Sequence, residues 1–353
     1  MKTIGYAAHD TSGTLSPFHF DRRAELAAND VAIEILYCGI CHSDLHWARD
    51  DWGMTQYPVV PGHEIVGRVI ATGSAASKHK TGEIVAVGCM VDSCQKCDQC
   101  DAGEEQFCRE GMTTTYGSPN SDGDGVTQGG YSKHIVVREE FVLSVPSSLD
   151  TAAAAPLLCA GITTYSPLKA CGVAEGSRVG VVGLGGLGHM AVKLAAAMGA
   201  HVTVLSRSPD KAQDATDLGA DAFLLSIDEE AMEKAAGSFD VIINTVPVAH
   251  DVNPYIPLLE VGGEIVIVGQ VGPFAEPINT VPMLFGRKTI SGSLIGGIAE
   301  TQEMLDFCAE KNVLPEVEMI RMDEVNSAFE RLEKSDVRYR FVIDMASLSM
   351  ADA

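Results

Sequence analysis

Ser177-Arg-Val-Gly-Val-Val-Gly-Leu-Gly-Gly-Leu-Gly-His-Met-Ala-Val-Lys-Leu-Ala-Ala-Ala-Met-Gly-Ala200 is the stretch that decides the fold. Its apolar run from Arg178 to Val182 leads directly into Gly183-Leu-Gly-Gly-Leu-Gly188, and a helical stretch, Gly188 to Met198, comes next. A lone G-x-G-x-x-G is a weak signal, but a strand before it and a helix after it give the context in which such a loop binds a dinucleotide. Gly183 permits the tight turn, Gly185 lets a pyrophosphate approach the backbone, and Gly188 lets helix pack on sheet. Gly186 and Leu187 complete the cradle. The competing reading is a set of glycines that serves only a close helix–strand contact.

Downstream, strands alternate with helical stretches: His201 to Ser206, Ala222 to Leu225, Asp240 to Thr245, Glu264 to Gly269 and Thr289 to Ser293. Near-continuous apolar strands in such alternation predict a parallel sheet covered by helices on both faces. The second strand ends about twenty residues beyond the glycine loop, where a carboxylate would hold a ribose 2′-hydroxyl. Here the sequence reads Ser206-Arg-Ser-Pro-Asp-Lys211. Hydroxyls and cations at Ser206, Arg207, Ser208 and Lys211 suit a 2′-phosphate, so NADP(H) is the expected cofactor. After Gly297 a helix (Thr301 to Glu310), a second helix (Asp323 to Lys334) and a last strand (Phe341 to Asp344) are expected.

Upstream the texture changes. Val31 to Tyr37, Ile65 to Ala71, Ile84 to Val87 and Tyr131 to Val137 are short β-branched runs among Gly and Pro, which predicts strands and turns. At 353 residues the chain exceeds the usual size of one hydrophobic core, so two domains are expected. Hydrophobic residues at 46% and charged residues at 21% fit a soluble globular protein. The 48 acidic against 25 basic residues give a formal charge of −23, which opposes binding to nucleic acid or anionic membranes. No apolar stretch is long enough for a membrane helix, and Met1 to Asp10 lacks the features of a signal peptide, so a cytoplasmic location is expected.

Ten cysteines in such a chain point to metals or catalysis before disulfides. Cys94, Cys97, Cys100 and Cys108 are spaced C-x2-C-x2-C-x7-C, which suits the tetrahedral shell of a structural zinc. Spacing alone leaves free cysteines and an iron–sulfur cluster open. A second set is scattered: Cys41, His63 and Cys159. Two thiolates and one imidazole make the ligand set of a catalytic zinc with a fourth position for water or substrate. Singly, each reads as readily as a buried small hydrophobe or a satisfied polar group.

In this order, the signals resemble the cinnamyl alcohol dehydrogenase branch of the zinc-dependent medium-chain alcohol dehydrogenases. The resemblance runs from about Ile4 to Met345. It is carried by Tyr37-Cys-Gly-Ile-Cys-His-Ser-Asp-Leu-His46, Tyr57-Pro-Val-Val-Pro-Gly-His-Glu-Ile-Val-Gly67, the four-cysteine lobe, Pro156-Leu-Leu-Cys-Ala-Gly-Ile-Thr163, the glycine loop and Val337-Arg-Tyr-Arg-Phe-Val-Ile-Asp344. It implies an α/β protein with a β-rich, GroES-like catalytic domain at 1–158, completed by 297–353. A Rossmann domain with a doubly wound parallel sheet is expected at 159–296, an active cleft at the junction, and a homodimer formed through the cofactor domains.

The resemblance also implies roles. Cys41, His63 and Cys159 match the catalytic zinc ligands, and Glu64 the carboxylate that exchanges with water as fourth ligand; with the lobe this makes two Zn2+ per chain. Asp44 matches the carboxylate that holds the metal-bound imidazole. Ser43 and His46, which share a face if helical, match a proton relay from the alcohol oxygen through Ser43 and the cofactor ribose to His46. Thr163 joins the cofactor site. The substrate pocket should include His46, Trp52, Met54, Cys89, Thr113, Leu294 and Ile295. Lignin-pathway members carry large aromatics near Thr113 and at Leu294, so this chain is expected to take a broad range of aromatic and aliphatic aldehydes and their primary alcohols. A polyol or secondary-alcohol dehydrogenase would use the same parts. A zinc-free quinone or alkene reductase would need neither Cys41 nor the lobe, and a non-enzymatic zinc or redox sensor would have no use for the glycine loop and relay pair.

Overall fold

The computed structural model describes residues 1–23, 25–119 and 125–349. The chain forms two compact units, Met1–Cys159 with Gly296–Ala353, and Ala160–Ile295. Among the described residues no helix is long and apolar enough to cross a membrane.

The first unit is built on a seven-stranded sheet. Its path runs Val317–Arg321, Arg340–Asp344, Asp30–Gly39, Ile65–Thr72, Ile84–Val87 and Leu143–Ser144, with His134–Arg138 also paired to Asp30–Gly39. Asp30–Gly39 is the hub, since it is antiparallel to three partners. Its side chains alternate little in exposure: Val31, Ile33 and Cys38 are fully buried and Ile35 nearly so. Fully burying an aliphatic side chain of this size contributes about 1.5–3 kcal/mol. The register at the far end of this strand brings distant segments together. Cys38 faces Ile65 on one side and Ile343 on the other, Gly39 N–H donates to the Glu64 carbonyl at 2.9 Å, and Ile40 N–H donates to the Phe341 carbonyl at 3.0 Å. One edge of the sheet therefore gathers the chain just before Cys41, just before Ile65 and at the start of Arg340–Asp344.

Two strand pairs lie outside the predicted set. Lys2–Ala8 and Leu15–Asp21 form an antiparallel hairpin, and Met90–Asp92 pairs with Thr113–Thr114, bracketing the four cysteines. The strand expected at Tyr131 to Val137 begins later, at His134, because Tyr131 and Lys133 are engaged in loop hydrogen bonds with Pro61, Tyr6, Ile4 and Ile35. The predicted helix from Asp323 splits into a 3-10 turn, Met322–Glu324, and an α-helix, Val325–Glu333.

The second unit is a six-stranded parallel sheet in the order Ala222–Leu225, His201–Ser206, Arg178–Val182, Phe239–Asn244, Leu259–Ile267, Thr289–Gly292. The sequence order reverses direction between Arg178–Val182 and Phe239–Asn244, and such a switch point is where doubly wound sheets bind ligands. Val182, Leu205, Phe239, Ile242, Ile256 and Ile265 belong to one buried cluster beside it. Helices Gly188–Ala197, Ala212–Asp217 and Glu229–Lys234 alternate with the first strands, and a 3-10 segment, Asn253–Leu258, replaces a full helix before Leu259–Ile267.

Candidate active site and metal centres

At the edge where the hub strand ends, four side chains converge. One ligand atom each from Cys41, His63, Glu64 and Cys159 lies within 4.8 Å of the others, and all four residues are buried. The sulfurs of Cys41 and Cys159 stand 3.8 Å apart as free thiols. A disulfide would need about 2.05 Å, whereas two sulfurs each bound about 2.3 Å from a tetrahedral zinc stand about 3.8 Å apart. The pair titrates unequally: hydrogen bonding between them pulls Cys41 well below the ordinary thiol range and pushes Cys159 well above it.

His63 supplies the second indication of a cation. Its Nδ1 lies 3.2 Å from the Tyr116 hydroxyl and 3.4 Å from Asp44 Oδ1, while its Nε2 is buried with no hydrogen-bond partner. With the proton on Nδ1, Nε2 presents a lone pair, and a buried unpaired acceptor costs about 1–3 kcal/mol. A zinc ion among these donors removes that cost. The residues fit the metal.

Asp44 fastens the ligands. It sits in the first turn of the helix His42–Arg49, fully buried, and its Oδ2 accepts from Cys41 N–H at 2.8 Å as a third-position capping carboxylate does. The same oxygen accepts from the Tyr131 hydroxyl at 2.9 Å, and Oδ1 accepts from Gly62 N–H at 2.9 Å. One carboxylate thus holds both ligand-bearing backbones and the His63 ring. Glu64 is as deeply buried; its Oε1 pairs with the Arg340 guanidinium, and its Oε2 has no partner. Burial pushes the Glu64 carboxyl up to about 7 against the opposing Arg340 charge; a bound cation would act in the same sense as Arg340.

The lobe is built differently. Cys94, Cys97, Cys100 and Cys108 each place a sulfur within 4.8 Å of the rest, with Cys97 to Cys100 at 3.5 Å and Cys94 to Cys100 at 3.9 Å. Backbone amides donate to these sulfurs, Cys94 N–H to Cys108 and Arg109 N–H to Cys97, both at 3.4 Å. The Arg109 amide is the main reason Cys97 is held down to about 6. Four thiolates fill a tetrahedral shell, so no place is left for substrate. Glu105, inside the lobe, accepts from Ile298 N–H at 3.0 Å and so ties it to the helix Ile298–Lys311.

Ser43 and His46 both lie on the helix His42–Arg49, and Ser43 Oγ is 3.7 Å from Cys41 Sγ. His46 Nδ1 is 2.7 Å from Asp51 Oδ2, and its ring lies 5.3 Å from that of Trp52. Of the other pocket candidates in this unit, Cys89 hydrogen-bonds the Leu158 carbonyl at 3.6 Å, Thr113 begins the short strand paired to Asp92, and Met54 is 59% exposed. Hydrogen bonding to Cys159 pulls the Cys89 thiol below its usual range. Leu294 and Ile295 end the second unit, the first half-exposed and the second buried with a left-handed φ of 38°.

In the second unit the three glycines divide their work. Gly183 has φ of +90°; a Cβ at Gly188 would lie 2.2 Å from the Gly183 carbonyl oxygen; a Cβ at Gly185 would meet open space. The first two are demanded by the fold, while Gly185 leaves room for a ligand, which fits a pyrophosphate. Thr163 is buried in the helix Ala160–Ala170. Lys211 Nζ donates to the Leu184 carbonyl at 3.1 Å and so brings the turn after His201–Ser206 back onto the loop containing Gly186 and Leu187. Ser206 Oγ accepts from Ser208 N–H at 3.2 Å and keeps its own proton to donate. Ser208 occupies the cap position of the 3-10 turn Pro209–Lys211 but makes no side-chain capping bond, and Arg207 and Ser208 are exposed.

Arg340, Asp51, Tyr116 and Tyr131 carry no signal in the sequence that marks them for this site. Arg340 sits in a family motif, yet nothing in the pattern singles out a guanidinium that is 4% exposed.

Comparison with known proteins agrees with this geometry. Residues 27–147 match the alcohol dehydrogenase GroES-like domain and residues 186–310 the zinc-binding dehydrogenase domain. An 8-hydroxygeraniol dehydrogenase of Catharanthus roseus is 54% identical over 349 residues, 98% of this chain and 96% of the relative. A cinnamyl alcohol dehydrogenase of Sorghum bicolor superposes with a TM-score of 0.95 at 46% identity, covering 100% of both chains. The cinnamyl alcohol dehydrogenase of Helicobacter pylori complexed with NADP(H) superposes with a TM-score of 0.90 at 39% identity, covering 99% of each.

Proposed function

The chain belongs to the zinc-dependent medium-chain alcohol dehydrogenases, in the cinnamyl alcohol dehydrogenase branch, and from that premise we propose which residues perform its reaction. It is an NADP(H)-linked zinc enzyme that interconverts aldehydes and alcohols. The unit Met1–Cys159 with Gly296–Ala353 is the catalytic domain, and Ala160–Ile295 binds the cofactor. Cys41, His63 and Cys159 hold the catalytic zinc, and the lobe holds a structural one. The observation that carries this reading is the buried, unpartnered His63 Nε2 beside two thiols 3.8 Å apart.

When bound, the catalytic zinc supplies Lewis acidity toward the carbonyl or alcohol oxygen. NADPH supplies the hydride, which the protein orients. Asp44 keeps Cys41 and His63 in place. Ser43, beside Cys41, takes the proton of the alcohol oxygen, and His46 carries it outward, held by Asp51. Gly185 admits the pyrophosphate; Ser206, Arg207, Ser208 and Lys211 hold the 2′-phosphate. Within the catalytic unit, His46, Trp52, Met54, Cys89 and Thr113 are the residues we assign to the substrate. The hydroxyl at Thr113, in place of a large aromatic, leaves room for aromatic and aliphatic aldehydes alike.

We also infer a homodimer formed through the cofactor domain. Leu284 and Phe285, on the helix Val281–Gly286, are 79% and 89% exposed, an apolar surface that a second copy would cover. A steady-state panel of aromatic and aliphatic aldehydes, ketones and sugar alcohols with NADPH tests the substrate class. Turnover confined to ketones or polyols would overturn it.

A further inference from the structure

Two glycines of the cofactor loop leave room for a side chain as well as for a tight turn. A Cβ on Gly183 or on Gly188 would lie 3.1 Å from the Thr245 hydroxyl oxygen, closer than packed side chains stand. Thr245 follows the strand Phe239–Asn244, across the switch point from Arg178–Val182, and is 6% exposed. Its Oγ1 donates to the Val182 carbonyl at 2.8 Å, and the Gly183 carbonyl oxygen is 3.4 Å away. Its backbone is held as firmly. Thr245 N–H donates to the same Val182 carbonyl at 3.0 Å, and Gly269 lets a neighbouring segment close on it, since a Cβ there would lie 2.4 Å from the Thr245 carbonyl.

The sheet does not need this hydroxyl, because the Thr245 amide already pairs with the Val182 carbonyl. What the hydroxyl adds is a peg inside the turn that starts the loop. The Gly183 carbonyl is confined between it and Gly188, where a Cβ would come within 2.2 Å of that oxygen. The turn in turn fixes the direction of the peptides beyond it. The Gly185 carbonyl accepts from His189 N–H at 3.0 Å and so points into the helix Gly188–Ala197. A planar trans peptide sets its N–H opposite its C=O, so the Gly186 N–H points outward, on the side where Gly185 faces open space. An amide presented in this way is a donor for a pyrophosphate oxygen.

We propose that Thr245 is a positioning residue for the cofactor, whose hydroxyl pins the turn at Gly183 and so aims the Gly186 amide at the pyrophosphate. This rests on the glycine loop being where NADP(H) binds. Thr245 touches neither cofactor nor substrate in this role; it acts through Gly183.

The test is NADPH binding to the zinc-loaded protein, followed by the cofactor's fluorescence, beside steady-state kinetics. Thr245→Val keeps shape and branching and loses the donor. It should weaken NADPH binding about tenfold, the size of one net hydrogen bond, and raise KM for the cofactor by the same factor while kcat at saturating cofactor changes little. Thr245→Ser, which keeps the donor, should bind NADPH as the parent does. Thr245→Ala loses the donor without adding a methyl group; it should show the same loss and serves where Thr245→Val fails to fold. Because both cofactors share the pyrophosphate, Thr245→Val should lower kcat/KM for NADPH and NADH by the same factor and leave their ratio unchanged. A lowered melting temperature with unaltered NADPH binding would make the threonine purely structural and overturn the proposal, as would a loss confined to NADPH or a Thr245→Ser protein as weak as Thr245→Val. A parent chain that binds no NADPH rejects the cofactor reading itself, whereas a parent that binds it no better than Thr245→Val and Thr245→Ala rejects only the part assigned to Thr245.

Discussion

The four-cysteine lobe and the Cys41, His63, Cys159 cluster use the same element of chemistry and are built in opposite ways. The lobe draws its ligands from fifteen consecutive positions, 94 to 108, holds them with amide-to-sulfur hydrogen bonds inside one loop, and leaves three of the four partly exposed. The other cluster draws on positions 41, 63 and 159, all buried, and depends on the register of a seven-stranded sheet and on one carboxylate, Asp44. A contiguous site closes on its ion and stabilises the loop around it. A dispersed site costs burial of charge and polar atoms, His63 Nε2 and Glu64 Oε2 among them, and what it gains is a place where a reacting oxygen can enter.

The contrast breaks most visibly at the dispersed site. Cys41→Ser or Cys159→Ser should abolish turnover while the circular dichroism spectrum stays close to that of the parent protein and the fold remains largely intact. Retained activity in either variant would remove the distinction between the clusters. Next in size, Ser43→Ala should lower kcat by about 10²–10⁴-fold, the usual contribution of a positioned proton carrier, and His46→Ala by less, since water can stand in at the exposed end. A Ser43→Ala enzyme with near-normal kcat excludes the relay.

The turn Ser206–Lys211 shares a property with each cluster, being contiguous like the lobe and open like the catalytic set. A carboxylate set against a 2′-phosphate costs several kcal/mol, and roughly 3 kcal/mol is about a hundredfold in affinity. NADPH should therefore exceed NADH by about that factor in kcat/KM, and Ser206→Asp should reverse or erase the preference. Equal efficiency with both cofactors in the parent enzyme rejects this reading of the turn. The smallest effect on chemistry belongs to the lobe: Cys97→Ser should lower the melting temperature by several degrees, because a structural zinc contributes folding free energy, while the folded fraction keeps most of its kcat.

Legibility in the sequence divides along the same line. The glycine loop, the strands of the parallel sheet and the lobe are local, and their residues announce themselves by period or spacing; the observed strands Arg178–Val182, His201–Ser206 and Ala222–Leu225 lie within a residue of their expected bounds. The dispersed ligands are reached through family resemblance, since no spacing rule links 41, 63 and 159. The hairpin Lys2–Ala8 with Leu15–Asp21 is hidden because Pro17, His19 and Asp21 dilute its second strand. The edge strand Val317–Arg321 is hidden because Glu318 and Arg321 make it read as a polar connection; Glu318 in fact pairs with Arg331. Arg340 is hidden for the strongest reason: an arginine in a short motif reads as surface, and only the register of three distant strands puts it under cover with Glu64.

The most direct test of two clusters with two tasks is the zinc content of freshly purified protein and its variants by elemental analysis. The parent chain should carry two zinc ions, and Cys41→Ser should fall to about one while remaining folded and inactive. A parent chain with one zinc or none, or a Cys41→Ser protein that still carries two and still turns over, would contradict the account.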